Sequence, residues 1–217
     1  MRTSDRQKYR QLLSTLIALF VLLPLLKTGV AGILADLILL CTILLAIKRF
    51  ALHRSLYLIY VAIAALAFCL LLNFNFGWNS HFNQTFNVLF QLILIIYVGG
   101  AAYLIGRDIF TAARVTADTV RGGISVYLLI GFAWALLYGM VSTLDPEAFS
   151  QPLHLPDSYL KALHFSFTTL TTLGYGDIVP VSEVALVLAN LEAIIGQIYP
   201  AVFMAGLVGG YLGNQSA

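Results

Sequence analysis

The sequence has 217 residues, of which 60% are hydrophobic and only 10% are charged. This composition excludes an ordinary soluble domain and predicts a chain that lies in a lipid bilayer. The formal net charge of +2 gives no reason to expect a nucleic-acid partner. A span needs about 20 mostly apolar residues, so six spans and one half-membrane hairpin would use nearly the whole chain.

The first half of the chain contains four apolar segments. Residues 1–11 predict a basic cytoplasmic N-terminus, and residues 12–106 predict a four-helix transmembrane domain. The predicted spans are Leu12 to Leu26, Val30 to Ile47, Leu56 to Leu72 and Thr85 to Ile105. The basic start and the first apolar segment also fit a secretory signal, an alternative that the charge distribution leaves open.

Residues 107–121 mix polar and apolar side chains. Arg107, Arg114 and Arg121 recur every seven residues, which predicts one basic stripe on an interfacial linker helix. On this helix Asp118 is placed to pair with Arg114 or Arg121.

Residues 122–217 form a second unit with a different pattern. Its predicted elements are an outer helix at 122–144, a short re-entrant helix at 158–171, a glycine-containing segment at 172–176 and an inner helix at 181–212. Asp157 or Ser158 is the expected N-cap of the short helix.

The distribution of basic residues predicts the orientation in the membrane. With a cytoplasmic N-terminus, the outer side receives only Lys27 and Lys161. The inner side receives Arg2, Arg6, Lys8, Arg10, Lys48, Arg49, Arg54, Arg107, Arg114 and Arg121. We therefore expect both termini to be cytoplasmic, in a plasma or inner membrane, with the hairpin on the extracellular side.

The segment from Thr172 to Gly176 carries the functional signal. Its five backbone carbonyls, with the Thr172 hydroxyl, would face a passing ion if alternate residues adopted positive φ. Glycine does this at almost no steric cost, which explains Gly174 and Gly176 at a spacing of two. Rings of such oxygens replace the hydration shell of K⁺.

This run, followed by Asp177, closely resembles the selectivity filter of pore-loop potassium channels, with Leu173 where valine is usual. The resemblance implies a potassium-selective channel with no organic cofactor. It implies bound K⁺ at Thr172, Leu173, Gly174 and Tyr175. Because the chain carries one copy of the filter, a four-fold ring requires a homotetramer.

The resemblance also assigns roles to residues around the filter. In related channels, side chains at the positions of His164, Phe165 and Thr171 brace the filter. The residue at the position of Asp177 forms a hydrogen bond behind the filter in those channels. For His164 a packed, hydrogen-bonded side chain is the main interpretation, and a pH-sensing role is the alternative.

The inner helix contains a proline, Pro200, four residues after a glycine, Gly196. Pro200 cannot donate to the carbonyl of Gly196, and Gly196 stands where related inner helices have a hinge glycine. The two residues are therefore a candidate gating hinge, with a static kink as the alternative.

Two polar residues lie within the same helix. Glu192 is either a protonated structural group behind the filter or a cation-attracting group near the cavity. Gln197 is the second candidate polar group near the cavity.

The predicted fold is an all-α membrane protein with six transmembrane helices and a re-entrant pore helix and filter between the fifth and sixth. This plan resembles the voltage-gated-like cation channels, and most closely the small bacterial six-span potassium channels without sensor charges. The fourth span, Thr85 to Ile105, contains no Arg or Lys. We therefore expect no intrinsic voltage sensing, and a gating current would contradict this expectation.

Three alternatives remain at this stage. A non-selective cation channel could use the same scaffold, and a potassium transporter or a regulatory membrane subunit could carry a pore-like hairpin. An enzyme is not expected, because no catalytic constellation forms. Membrane lipids are expected partners. The sequence does not identify the gating stimulus, so an unidentified gating partner stays open as well.

Overall fold

The computed structural model describes residues 9–24, 30–48, 54–76, 84–111, 115–153 and 158–215. Over these ranges the fold is all-α, as predicted, with seven helices and no β-strand. The helices are α1 (Arg10–Leu22), α2 (Val30–Lys48), α3 (Arg54–Phe76), α4 (Gln84–Phe110), α5 (Ala117–Leu144), α6 (Tyr159–Leu170) and α7 (Glu183–Gln215).

Among the residues that the structure describes, three helical stretches are long and apolar enough to cross a membrane. They are α4, α5 and the Glu183–Gly206 part of α7. The apolar stretches described in the first three helices are shorter, at Arg10–Leu22, Leu37–Lys48 and Tyr57–Leu70. The prediction of a membrane-embedded helical protein is confirmed, whereas the presence of six membrane spans stays a prediction.

The prediction of a separate linker helix at 107–121 is wrong. Arg107 belongs to the last turn of α4, and α5 already begins at Ala117. The reason is a capping box at the start of α5. The Thr116 hydroxyl accepts from the Thr119 N–H, and the Thr119 hydroxyl accepts from the Thr116 N–H, both at 3.2 Å. This cap satisfies two backbone donors and therefore starts the helix ahead of residue 122.

The acidic residue of this region finds one of its two expected partners. Asp118 lies 3.9 Å from Arg121, one turn along α5. Arg114, the other expected partner, lies outside the described residues. The Asp118 carboxylate also accepts from the backbone N–H of Tyr9 at 3.2 Å to each oxygen, so it joins the start of α1 to the start of α5.

Tyr9 makes a second contact at the same junction. Its hydroxyl donates to Asp108 at 2.5 Å, near the end of α4. Burial, assisted by this hydrogen bond, raises the pKa of the Tyr9 hydroxyl. The first helix is therefore fixed to the end of α4 and the start of α5.

Helices α4 and α5 form an antiparallel hairpin. At one end the Gln84 side chain donates to the Thr143 carbonyl at 2.6 Å. At the other end Gly106 faces Val126, close enough for a Cβ at that position to be in van der Waals contact. The hairpin packs α4 directly against α5, the outer helix of the second unit.

The second unit consists of α5, α6 and α7. Helix α6 corresponds to the short helix predicted at 158–171, and α7 corresponds to the inner helix predicted at 181–212. Each observed boundary differs from the predicted one by one to three residues. Pro200 lies inside α7, which continues unbroken to Gln215.

Candidate functional site

The site begins where α6 ends and the chain reverses direction. Ser158 occupies the N-cap position, as expected for one of the two candidates, although its side chain makes no capping hydrogen bond. Asp157 lies outside the described residues. At the other end the Thr172 N–H donates to Thr169 O at 3.0 Å, and the Gly174 N–H donates to Thr168 O at 3.1 Å. These bonds fold the segment back beneath the helix.

The last carbonyls of α6 also receive partners from elsewhere. The Thr171 hydroxyl donates to Phe167 O at 2.6 Å, so Thr171 acts as part of the helix terminus. Tyr127 of α5 donates to Leu170 O at 3.1 Å. The bond from Tyr127 holds the helix end in place, because the last carbonyls of a helix lack the intrahelical donors that earlier ones have.

The backbone of the predicted filter alternates in the sign of φ. Thr172, Gly174 and Gly176 have φ of 58°, 55° and 76°. They are the residues with positive φ in the part of the chain that the structure describes, and Leu173 and Tyr175 between them do not share it. This alternation is the one that the sequence argument requires, and it extends to Thr172, which residue type alone did not indicate.

His164 and Asp177 meet beside this segment. The His164 Nε2–H donates to Asp177 Oδ2 at 3.0 Å. The His164 ring also stacks on Tyr175, with ring centroids 5.8 Å apart and planes 10° apart. In the structure, His164 is therefore packed against Tyr175 and hydrogen-bonded to Asp177.

Phe165 lies on the opposite side of α6, in the core. It is 4% exposed and packs edge-on against Tyr138 and Phe149, with ring centroids 4.8 Å and 5.3 Å away. Its contacts connect the helix to α5 and to the outer loop.

The outer loop is tied to the chain just after the filter, which the sequence did not indicate. Gln151 Nε2 donates to Asp177 O at 3.0 Å. The Ser150 N–H donates to Val179 O at 2.9 Å, and the Val179 N–H donates to the Ser150 hydroxyl at 3.0 Å. A loop of ordinary polar residues gives no sequence signal for such a tether.

The two polar residues of the inner helix have different environments. Glu192 is fully buried and lies between α5 and α6, so it does not line an open cavity in the described chain. Gln197 is exposed, and its Nε2 donates to the Thr172 hydroxyl at 3.2 Å. Gln197 therefore lies beside Thr172, the first residue of the predicted filter segment, and its role as a cavity residue stays a prediction.

Gly196 lies where α7 crosses the end of α6. A Cβ at this position would run into the backbone carbonyl group of Leu170. The glycine is therefore required for the close approach of the two helices, a packing role that the hinge interpretation did not include.

Residues 123–209 match the family model described as Ion channel. The match covers most of α5, all of α6 and the filter segment, and α7 as far as Gly209. It supports the class of a membrane-embedded transport protein rather than an enzyme. Within that class it supports an ion channel of the potassium-channel-like superfamily. Less than half of the chain lies within the match, and no curated protein and no solved structure matches the chain.

Proposed function

We propose that the protein is a potassium-selective channel that conducts K⁺ passively across the cell membrane as a homotetramer. The observation that carries the proposal is the alternating sign of φ from Thr172 to Gly176. Alternate positive and negative φ turns successive carbonyls toward the same side of the backbone. One chain then offers a column of oxygens instead of oxygens that point alternately to two sides.

Four such columns around one axis would form rings of oxygens. Rings at Thr172, Leu173, Gly174 and Tyr175 would replace the water around a dehydrated K⁺. The side chains of Leu173 and Tyr175 would pack behind the rings, where Asp177 and His164 support them. A neutral amide at Gln197 would face the ion at the inner end of the column.

The homotetramer is supported by exposure in the single chain. Leu173 and Tyr175 are 57% and 68% exposed, which is unfavourable for side chains that should hold a filter rigid. Apolar side chains along α7 are also exposed, among them Val184, Val187, Leu191, Ile194 and Ile198. Neighbouring copies would cover these surfaces near the axis, and membrane lipids would cover the remaining apolar surface.

The first four helices would not act as a voltage sensor in this proposal. Arg107 is the one Arg or Lys of α4 and lies in its last turn, outside the part that would cross most of the field. Several such charges are needed for steep voltage dependence, since each contributes about 2.3 kcal/mol per 100 mV.

A flux assay with the purified full chain in liposomes tests the proposal. With a K⁺ gradient as the driving force, we expect K⁺ uptake that Ba²⁺ blocks and that Na⁺ does not reproduce. Equal K⁺ and Na⁺ flux would favour a non-selective cation channel. Absence of flux for both ions would favour a transporter or regulatory subunit.

A further inference from the structure

Glu192 lies at a junction of three helices. It is fully buried, and each carboxyl oxygen has one short contact. Its Oε2 is 2.6 Å from the hydroxyl of Tyr138 on α5, and its Oε1 is 2.6 Å from the hydroxyl of Ser166 on α6. The Ser166 hydroxyl is also 2.8 Å from the carbonyl oxygen of Gly131 on α5.

The number of protons in this cluster decides the charge of Glu192. Three oxygen–oxygen contacts of hydrogen-bond length need three protons. Tyr138 and Ser166 supply one each, and the Gly131 carbonyl supplies none. The third proton must therefore be on Glu192. With that proton, Tyr138 donates to Oε2, Ser166 donates to the Gly131 carbonyl, and the Glu192 carboxyl group would donate through Oε1 to the Ser166 oxygen.

The surroundings agree with this count. Among the residues that the structure describes, no Lys, Arg or His lies within ion-pair distance of Glu192. A carboxylate buried without a cation is strongly disfavoured, because burial removes its hydration and nothing replaces it. The neutral acid satisfies every hydrogen-bonding group of the cluster.

We propose that Glu192 is a neutral carboxylic acid that positions the pore helix, and that it is neither a fixed charge nor a cation attractant. It acts through Ser166, which lies six residues before Thr172, and it joins α6 to both α5 and α7. This role deepens the proposed channel function, but the charge state itself can be measured without any ion flux.

Infrared spectroscopy of the reconstituted full chain at pH 7 tests the charge state. The carbonyl band of a protonated carboxylic acid should be present in the wild type and absent in Glu192→Gln. The matched control is Glu183→Gln, at an exposed position on the same helix, which should leave the band unchanged. A wild-type spectrum in which Glu192→Gln removes only carboxylate bands would overturn the proposal.

A second variant tests where the proton is donated. Ser166→Ala removes the acceptor of the Glu192 proton, so the acid band should stay and move to higher frequency. An unmoved band would show that Glu192 does not donate to Ser166 and would contradict the assigned network.

Flux measurements then test the positioning role. Glu192→Gln keeps an amide donor and a carbonyl acceptor without charge, so it should retain most of the wild-type K⁺ flux, whereas Glu192→Ala should lose most of it. A large loss in Glu192→Gln, with thermal stability retained, would indicate that a charge is needed and would reject this role. If the wild type carries no K⁺ flux, the proposed channel function fails, while the infrared result still decides the charge state.

Discussion

The three positive φ angles of the filter segment differ in their energetic cost. At Gly174 and Gly176 the conformation is almost free, whereas at Thr172 a left-handed conformation costs roughly 1–2 kcal/mol. The hydrogen bonds of Thr172 to Thr169 and Gln197 hold it in this conformation. The strain is therefore concentrated where α6 meets the predicted filter segment.

Gly174→Ala tests the filter at the residue scale. Within one chain a Cβ at Gly174 meets no atom within 4 Å, so the direct cost is backbone strain of roughly 1–2 kcal/mol per chain. We expect loss of K⁺ selectivity in flux measurements with little change in the thermal unfolding of the rest of the protein. Gly206→Ala, also in open space but in a helix, is the control and should retain selectivity. Retained selectivity in Gly174→Ala would contradict the assignment.

A double-mutant cycle of His164→Phe and Asp177→Ala tests the support behind the filter. The side chains are 37% and 52% exposed in the single chain, so we expect a coupling energy of only roughly 0.2–1 kcal/mol. Phenylalanine retains the ring that stacks on Tyr175 and removes only the hydrogen bond. The cycle is measured by thermal unfolding in K⁺, with flux as a second readout. Additive effects in both readouts would show that the bond does not support the filter.

At this scale the sequence predicts some site residues and misses others. The glycine spacing predicts positive φ at Gly174 and Gly176, because glycine is the residue type that adopts it freely. Nothing in the residue type predicts positive φ at Thr172, which follows from the chain reversal at the end of α6. Similarly, Tyr138 and Ser166 are ordinary residues in the sequence until the fold places both beside Glu192.

At the element scale, the C-terminal end of α6 depends on the close approach of α7. Gly196→Ala would place a methyl group against the Leu170 carbonyl, and that carbonyl cannot move without losing its bond from Tyr127. We expect a loss of stability of about 1–3 kcal/mol, measured as a lower thermal midpoint, together with reduced flux. Gly206→Ala on the same helix is the matched control. Equal midpoints for the two variants would contradict the packing role.

The hinge hypothesis is tested better at Pro200 than at Gly196. Pro200 leaves the Gly196 carbonyl without its helical donor, so Pro200→Ala should stiffen α7 at this point. We predict altered open probability in single-channel recordings, with unchanged K⁺/Na⁺ selectivity, since the filter backbone is not touched. Unchanged gating would reject the hinge and leave a static kink.

The predicted linker helix shows why a periodic pattern can mislead. The seven-residue recurrence of arginine predicts one helical face, yet Arg107 lies in α4 and Arg121 lies in α5. The local signal at Thr116 and Thr119 was stronger, because a capping box fixes a helix start directly. The long apolar patterns of α4, α5 and α7, in contrast, predicted helices whose ends differ by only a few residues.

At the scale of the whole molecule, the described chain combines an α4–α5 hairpin with a second unit in which the predicted filter segment and much of α7 remain exposed. Composition predicted a membrane protein, because 60% hydrophobic and 10% charged residues lie far from the soluble averages, and the length of the apolar segments predicted that the spans are helical. It could not predict how the chain packs onto itself, as the contact of Tyr9 with Asp118 and Asp108 illustrates. Under the proposed function, the exposure of Leu173 and Tyr175 has a simple consequence: neighbouring copies would have to cover them to complete the site.

The most direct test of the central claim is the reversal potential of the reconstituted protein with K⁺ on one side of a planar bilayer and Na⁺ on the other. Rings of carbonyl oxygens at Thr172 to Tyr175 predict a potential close to that of a membrane permeable to K⁺ alone. Gly174→Ala should move this potential toward zero. A wild-type potential near zero, or one that Gly174→Ala leaves unchanged, would contradict the account.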